Sequence, residues 1–208
     1  MGYAGHVDDT HWDSLYGRAA DTDLSWAQER PDLSLALLCV DGVAPRRVVD
    51  VGAGRSRLAE CLLAAGSEHV TLVDLSATAL DDTVSRVAAG SRSLIDTVVA
   101  DVTTWEPSTT WTAWHDRAVL HFLVDDGDRQ RYVATATRAV LPGGVAVIGV
   151  FAPDGPEQCS GLPVRRSSAD EIHALFGPLW TLEHSEHETH RTPWGSEQSF
   201  TWVRLRRL

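Results

Sequence analysis

Apolar and polar positions along this chain switch repeatedly between strand-like runs and helical spacing. Val48-Val49-Asp50-Val51 is a short, nearly continuous apolar run that stops at Gly52-Ala53-Gly54, which predicts a buried strand followed by a turn. A helix is expected from about Ser56, with Leu58, Cys61, Leu62 and Ala65 on one face. His69–Val73 reads as a second strand. Leu80, Val84 and Val87 then recur at helical spacing, with Gly90 as the expected stop. Asp96–Ala100 predicts a third strand, Thr112–Trp114 a short fourth, and the turn Leu141-Pro142-Gly143-Gly144 opens a fifth that runs to Val150. Between the last two, a helix over 128–141 would turn Tyr132, Val133, Ala136 and Val140 inward. Ser168 and Glu171 form a capping-box pattern before Ile172 and Leu175, and that helix should end near Gly177-Pro178. Residues 179–192 and 199–206 read as two strands joined by the turn Pro193-Trp194-Gly195-Ser196. Phe200 and Trp202 share one face of the last strand, Thr201 and Val203 the other. Such alternation of strand and helix places the chain in the α/β class, with a doubly wound, mostly parallel sheet.

The segment before the first strand differs. Residues 1–10 read as loosely attached. Trp12, Leu15, Tyr16, Leu24 and Trp26 follow, and a short apolar helix starts at Ser34 and runs through Leu35, Leu37 and Leu38. Aromatic residues at this density need a surface to cover, and the edge of the sheet is one such surface. Neither repeats nor a linker divide the chain. The expectation is one domain over 1–208, with a helical segment at 11–45 and the core at 46–208.

Composition removes several classes of function. A net charge of −11 argues against a phosphate-backbone binder, and no apolar run approaches the length of a membrane helix. The N-terminus carries His6, Asp8 and Asp9 and no apolar stretch, so it does not read as a secretory signal. Cys39, Cys61 and Cys159 are widely spaced, as reduced thiols of a cytoplasmic protein would be. Every basic residue is arginine, which excludes Schiff-base chemistry and a P-loop lysine on this chain.

A strand that ends in a glycine turn and feeds a helix is a site for a nucleotide-like ligand, because the backbone can come close and free N–H groups face it. A dinucleotide site asks for a third glycine where this chain has Arg57. Instead an acidic residue precedes the turn. The pattern Asp50-x-Gly52-x-Gly54 resembles the first motif of class I S-adenosylmethionine-dependent methyltransferases of the small bacterial type. The second and third strands also end in acidic residues, Asp74 and Asp101. In that family they sit beside the ribose and the adenine amino group; alternatively, each Asp caps the turn or helix that follows it. The resemblance implies a Rossmann-like, seven-stranded sheet closed by a C-terminal antiparallel hairpin, and an N-terminal helical segment over cofactor and substrate. It implies S-adenosylmethionine as cofactor and S-adenosylhomocysteine as product. The cofactor residues it marks are Asp50, Gly52, Ala53, Gly54, Asp74, Leu75, Ser76, Asp101 and Val102.

Candidate chemistry lies at the end of the fourth strand, in Trp114-His115-Asp116-Arg117 and His121. Sulfonium methyl transfer needs positioning and, for a hydroxyl or protonated amine, a base. Asp116 and His121 are the expected bases, with His115 behind them; the alternative is an Asp116 ion pair that fixes the loop. A small-molecule acceptor is expected, since the chain is compact and has no appended recognition domain. A protein lysine is the runner-up, as an Asp at this place resembles a subset of protein-modifying members. A nicotinamide-dependent oxidoreductase and a non-catalytic S-adenosylmethionine-binding protein are the remaining readings. Cys159 is expected as a small buried side chain. His184, His187 and His190 are spaced by three on a strand and so alternate faces, which makes no metal site.

Overall fold

The computed structural model describes residues 9–18 and 20–208. The expectation for residues 1–8 lies outside the described residues. Helices α1 (Asp9–Tyr16) and α2 (Asp32–Leu38) precede an alternation of strands and helices. This consists of β1 (Arg47–Val51), α3 (Leu58–Ala64), β2 (His69–Asp74), α4 (Ala77–Arg86), β3 (Ile95–Val99), β4 (Trp111–Arg117), α5 (Asp126–Ala139) and β5 (Val140–Phe151). A two-stranded ribbon, β6 (Gln158–Cys159) and β7 (Leu162–Pro163), leads to α6 (Ala169–Phe176) and the hairpin β8 (Trp180–Arg191) and β9 (Glu197–Arg207). The seven-stranded sheet has the order β3-β2-β1-β4-β5-β9-β8. β1 to β5 are parallel to their neighbours, β9 enters antiparallel to β5, and β8 pairs antiparallel at the edge. The expected doubly wound sheet with a terminal antiparallel hairpin is therefore present.

Period-two alternation splits the strands between two apolar layers. Val49, Val51, Trp114, Ala146, Ile148, Val203 and Leu205 face α5 and α6, where they meet Tyr132, Ile172 and Phe176. Val48, Ala113, Val145, Val147, Phe200 and Trp202 face the opposite layer with Leu37, Leu58 and Leu62. Each fully buried aliphatic or aromatic side chain contributes about 1.5–3 kcal/mol relative to exposure. Burial on both faces is why β1 and β5 read as nearly continuous apolar runs rather than alternating ones.

Local signals hold at several ends. Ser168 and Glu171 make the reciprocal capping box that opens α6. Ser76 caps α4, its Oγ accepting from Ala79 N at 3.1 Å. Gly90, expected to stop α4, lies instead in the 3-10 segment Ala89–Leu94, after the helix has ended at Arg86. The larger departure is β4. It extends through His115, Asp116 and Arg117 instead of stopping at Trp114. Polar residues inside a central strand read as its end because burying them unpaired is costly. Here His115 and Asp116 find side-chain partners from other elements, and Asp116 also accepts from the turn that follows it.

Candidate functional site

The carboxyl ends of β1, β2 and β3 deliver their acidic residues to one region, as the strand order requires at a topological switch point. Between β1 and α3 the chain turns at Gly52 (φ 61°) and Gly54 (φ 48°), both in the left-handed region. A Cβ on Gly52 would lie 2.0 Å from Val119 Cγ2, and one on Gly54 would lie 2.4 Å from the Tyr16 hydroxyl. These glycines thus serve both the backbone conformation and the closeness of neighbouring elements.

Asp50 is 2% exposed, at the end of β1. Its Oδ1 is 2.7 Å from His115 Nδ1, and His115 Nε2 is 2.9 Å from Ser34 Oγ on α2. Asp50 Oδ2 is buried and has no hydrogen-bond partner. Asp74 ends β2; its Oδ2 accepts from Gly54 N and its Oδ1 from Ser76 N, both at 2.8 Å. Burial outweighs these bonds and lifts the Asp74 carboxyl to about 6. Asp101 Oδ1 accepts from the amide and hydroxyl of Thr103, at 2.8 and 2.7 Å.

Two cavities meet here. The larger, of about 180 Å³, is lined by Asp74, Leu75, Asp101, Val102 and Thr103 on one side and by Trp12, Tyr16, Trp26 and Phe122 on another. The smaller, of about 80 Å³, is lined by Asp50, Gly52, Ala53 and Gly54 together with Ser34, Arg57 and His115. Gly52 and Arg117 border both. Ser76 borders neither cavity; it is buried and holds Asp74 and α4 in place.

Helix α1 is tied over this region. Ser76 Oγ donates to Asp13 Oδ1 at 2.5 Å, and Arg55 Nη2 donates to Tyr16 O at 2.6 Å while pairing with Asp82. The ring centroids of Trp12 and Phe122 are 5.3 Å apart, and those of Trp12 and Trp26 are 6.0 Å apart. The N-terminal aromatics therefore wall the larger cavity as well as packing on the sheet.

The expected bases are placed differently from the sequence reading. Asp116 is fully buried and borders neither cavity. Its oxygens accept from Val119 N at 2.8 Å, Leu120 N at 3.0 Å and the Tyr132 hydroxyl at 2.5 Å. It braces the turn in which Ala118 adopts φ 76°. Both of its oxygens thus accept hydrogen bonds from within the protein. His121 is likewise fully buried, edge-on to Phe122 and tilted against Phe151, and burial lowers it to about 3. His115 borders the smaller cavity but is held at both ring nitrogens.

Elsewhere, Cys159 is buried on the wall of the larger cavity, and burial pushes its thiol up to about 11. His184 and His187 are exposed, whereas His190 is buried with Nε2 2.8 Å from Ser25 O. The sequence reading did not single out Thr103, Val119, Phe122 or the separate role of Arg117 as lining residues; in sequence they look like ordinary loop and strand positions.

A methyltransferase-domain family profile matches residues 48–144. No curated protein matches the chain. Among solved structures, it is similar to a protein from work on the conversion of a disulfide bond into a thioacetal group during echinomycin biosynthesis. That match has TM-score 0.74 and 22% identity, covering 96% of this chain and 91% of the other. It is also similar to the N-methyltransferase NodS of Bradyrhizobium japonicum in complex with S-adenosylhomocysteine, with TM-score 0.73 and 15% identity over 95% and 98% of the two chains. A third is the 1,6-didemethyltoxoflavin-N1-methyltransferase of Burkholderia thailandensis, with TM-score 0.68 and 22% identity over 95% and 84%. Residues 48–144 thus match a methyltransferase domain, and the chain shares the fold of these structures.

Proposed function

We propose that this chain methylates a small-molecule acceptor held beneath its N-terminal helices. The observation that carries the cofactor placement is Asp50: a buried carboxylate oxygen without a partner, beside a glycine turn and on the wall of a cavity. An unpaired buried charge is costly, so the site is complementary to a cation such as the α-ammonium group of S-adenosylmethionine. Asp74 would hold the ribose hydroxyls and Asp101, with Val102 and Thr103, the adenine. Gly52, Ala53 and Gly54 let the backbone come close, Leu75 lines the adenosine side, and Ser76 keeps Asp74 oriented. His115 positions Asp50 through its Nδ1 contact and is in turn fixed by Ser34. Bound S-adenosylmethionine supplies an activated methyl group, so the protein's task is to orient the acceptor and exclude water. Trp12, Tyr16, Trp26 and Phe122 do both by roofing the larger cavity.

A protein lysine acceptor was suggested by Asp116, and the burial of Asp116 beneath its own turn removes that support. A small molecule, 1,6-didemethyltoxoflavin, is also what the similar N1-methyltransferase of Burkholderia thailandensis carries, together with S-adenosylhomocysteine. The test is calorimetric titration of the purified chain with S-adenosylmethionine, S-adenosylhomocysteine and NADH. Micromolar binding of the two sulfur ligands with NADH silent is the expected result. Binding of NADH alone would sink the reading, and tight binding of the sulfur ligands with no acceptor methylated would favour a non-catalytic binder.

A further inference from the structure

Arg117 closes β4, opposite Gly149 of β5, and its guanidinium carbon stands 4.9 Å from the centre of the Phe200 ring on β9. Nη1 donates to Trp26 O at 2.8 Å. Nε and Nη2 are buried and have no acceptor among the described residues. Glu188, a carboxylate that offsets its charge, is engaged by Trp202 Nε1 at 2.7 Å and Gln28 Nε2 at 3.5 Å. Burial pulls the guanidinium down to about 10, which still leaves a cation at neutral pH. A half-buried cation whose buried Nε and Nη2 lack acceptors is costly alone and complementary to an anion, above all one with planar, two-point geometry.

Its position says which ligand. Asp50, Asp74 and Asp101 belong to the ends of β1, β2 and β3, the side assigned to the cofactor. Arg117 lies across the Gly52–Gly54 turn from them, over β4, β5 and β9, on the wall shared by both cavities. Trp12, Trp26 and Phe122 meet on the same side. The carboxylates at the rim, Asp125 and Asp128, are already occupied: Asp125 caps α5 and Asp128 pairs with Arg131.

We infer that the acceptor is a planar, acidic small molecule, bearing a carboxylate or an ionised hydroxyl, whose anionic oxygen is held by Arg117 while its ring lies against Trp12, Trp26 and Phe122. This rests on the methyltransferase reading above. Nε and Nη2 of Arg117, on the wall of the larger cavity, leave a place for an anionic oxygen, and an ionised acceptor fills it. Such an acceptor supplies its own lone pair for the bond to the methyl carbon, the carbon–sulfur pair stays on sulfur, and no proton has to be removed.

The test uses the full chain saturated with S-adenosylhomocysteine, and four probes: salicylate, quinoline-2-carboxylate and their two carboxamides. Binding is read by calorimetry in the wild type and in Arg117→Met. The wild type should bind the acids at least about 10-fold more tightly than the carboxamides, and Arg117→Met should lose about 10- to 100-fold in acid affinity. S-adenosylhomocysteine affinity should stay within about 3-fold in the variant, since Arg117 is assigned to the acceptor. Acids bound no better than carboxamides by the wild type would overturn the proposal, and this comparison stands even if the variant fails to fold. So would a variant that loses S-adenosylhomocysteine while keeping the acid preference, which would move Arg117 to the cofactor. Failure of the wild type to bind S-adenosylhomocysteine at all would instead overturn the methyltransferase reading beneath it.

Discussion

Replacing Tyr132 with Phe tests whether Asp116 is a structural brace. The Tyr132 hydroxyl donates to Asp116 Oδ2 at 2.5 Å and accepts from Trp114 Nε1 at 2.9 Å, and all three side chains are fully buried. Deleting that oxygen removes one charge-assisted hydrogen bond, worth about 1.5–3 kcal/mol, and orphans the Trp114 N–H at about 1–3 kcal/mol. The aromatic volume is unchanged, so no cavity term is added. Because the two effects share one network, the expected loss is about 2–4 kcal/mol, less than their sum. It should also depend on pH. Burial raises Asp116 to about 6 from its usual 3.8, so its ionised form weakens the fold as pH rises through that value. The Tyr132 bond counteracts that rise, hence its deletion should cost more at about pH 8 than at about pH 5. Urea unfolding followed by the fluorescence of the eight tryptophans measures both. Neither Tyr132 nor Asp116 borders the cavities, so S-adenosylhomocysteine affinity should stay within about 3-fold. A loss below about 0.5 kcal/mol together with abolished turnover would refute the brace and restore Asp116 as a base.

Three further outcomes are expected. Asp74→Asn should weaken S-adenosylhomocysteine binding by about 1–3 kcal/mol. In the wild type the same affinity should fall as pH drops through about 6, because protonation removes an acceptor; flat calorimetric affinity from about pH 8 to pH 5 would remove Asp74 from the site. Gly52→Ala should cost about 1–3 kcal/mol of stability, since its Cβ would lie 2.0 Å from Val119 Cγ2 at φ 61°, and an unchanged melting temperature would show the turn to be looser than described. His121 is held neutral in the fold, at about 3 against its usual 6.5, so falling pH favours the unfolded chain, which takes up the proton. His121→Phe should therefore lose about 2 kcal/mol less stability than the wild type between about pH 7.5 and pH 5; parallel curves in the two proteins would contradict the buried placement.

The order of strands and helices was legible in the sequence because each carries its own periodicity, and burial on both faces of β1 and β5 leaves apolar runs that nothing else explains. The glycine turn and the acidic ends of β1, β2 and β3 were legible too, since a residue at a strand end in a parallel sheet lies near its neighbours' ends by topology alone. That logic placed Asp50, Asp74 and Asp101 around one region before any side-chain contact was known. It failed at β4. His115 and Asp116 read as exposed, reactive positions because isolated polar residues do not belong in a strand, and the side chains that pair with them are far away in sequence. Ser34 reaches His115 from α2, and Tyr132 reaches Asp116 from α5. Such pairing decides whether a buried polar group is paid for or available to a ligand, and periodicity carries no record of it. The same holds for Arg117, an ordinary cation in the sequence, whose Nε and Nη2 lack acceptors because Trp26 O accepts from Nη1 alone and Phe200 and Glu188 stand beside it without accepting. Sequence set the elements and the side of the sheet that binds; the tertiary packing decided which polar groups there remain unsatisfied.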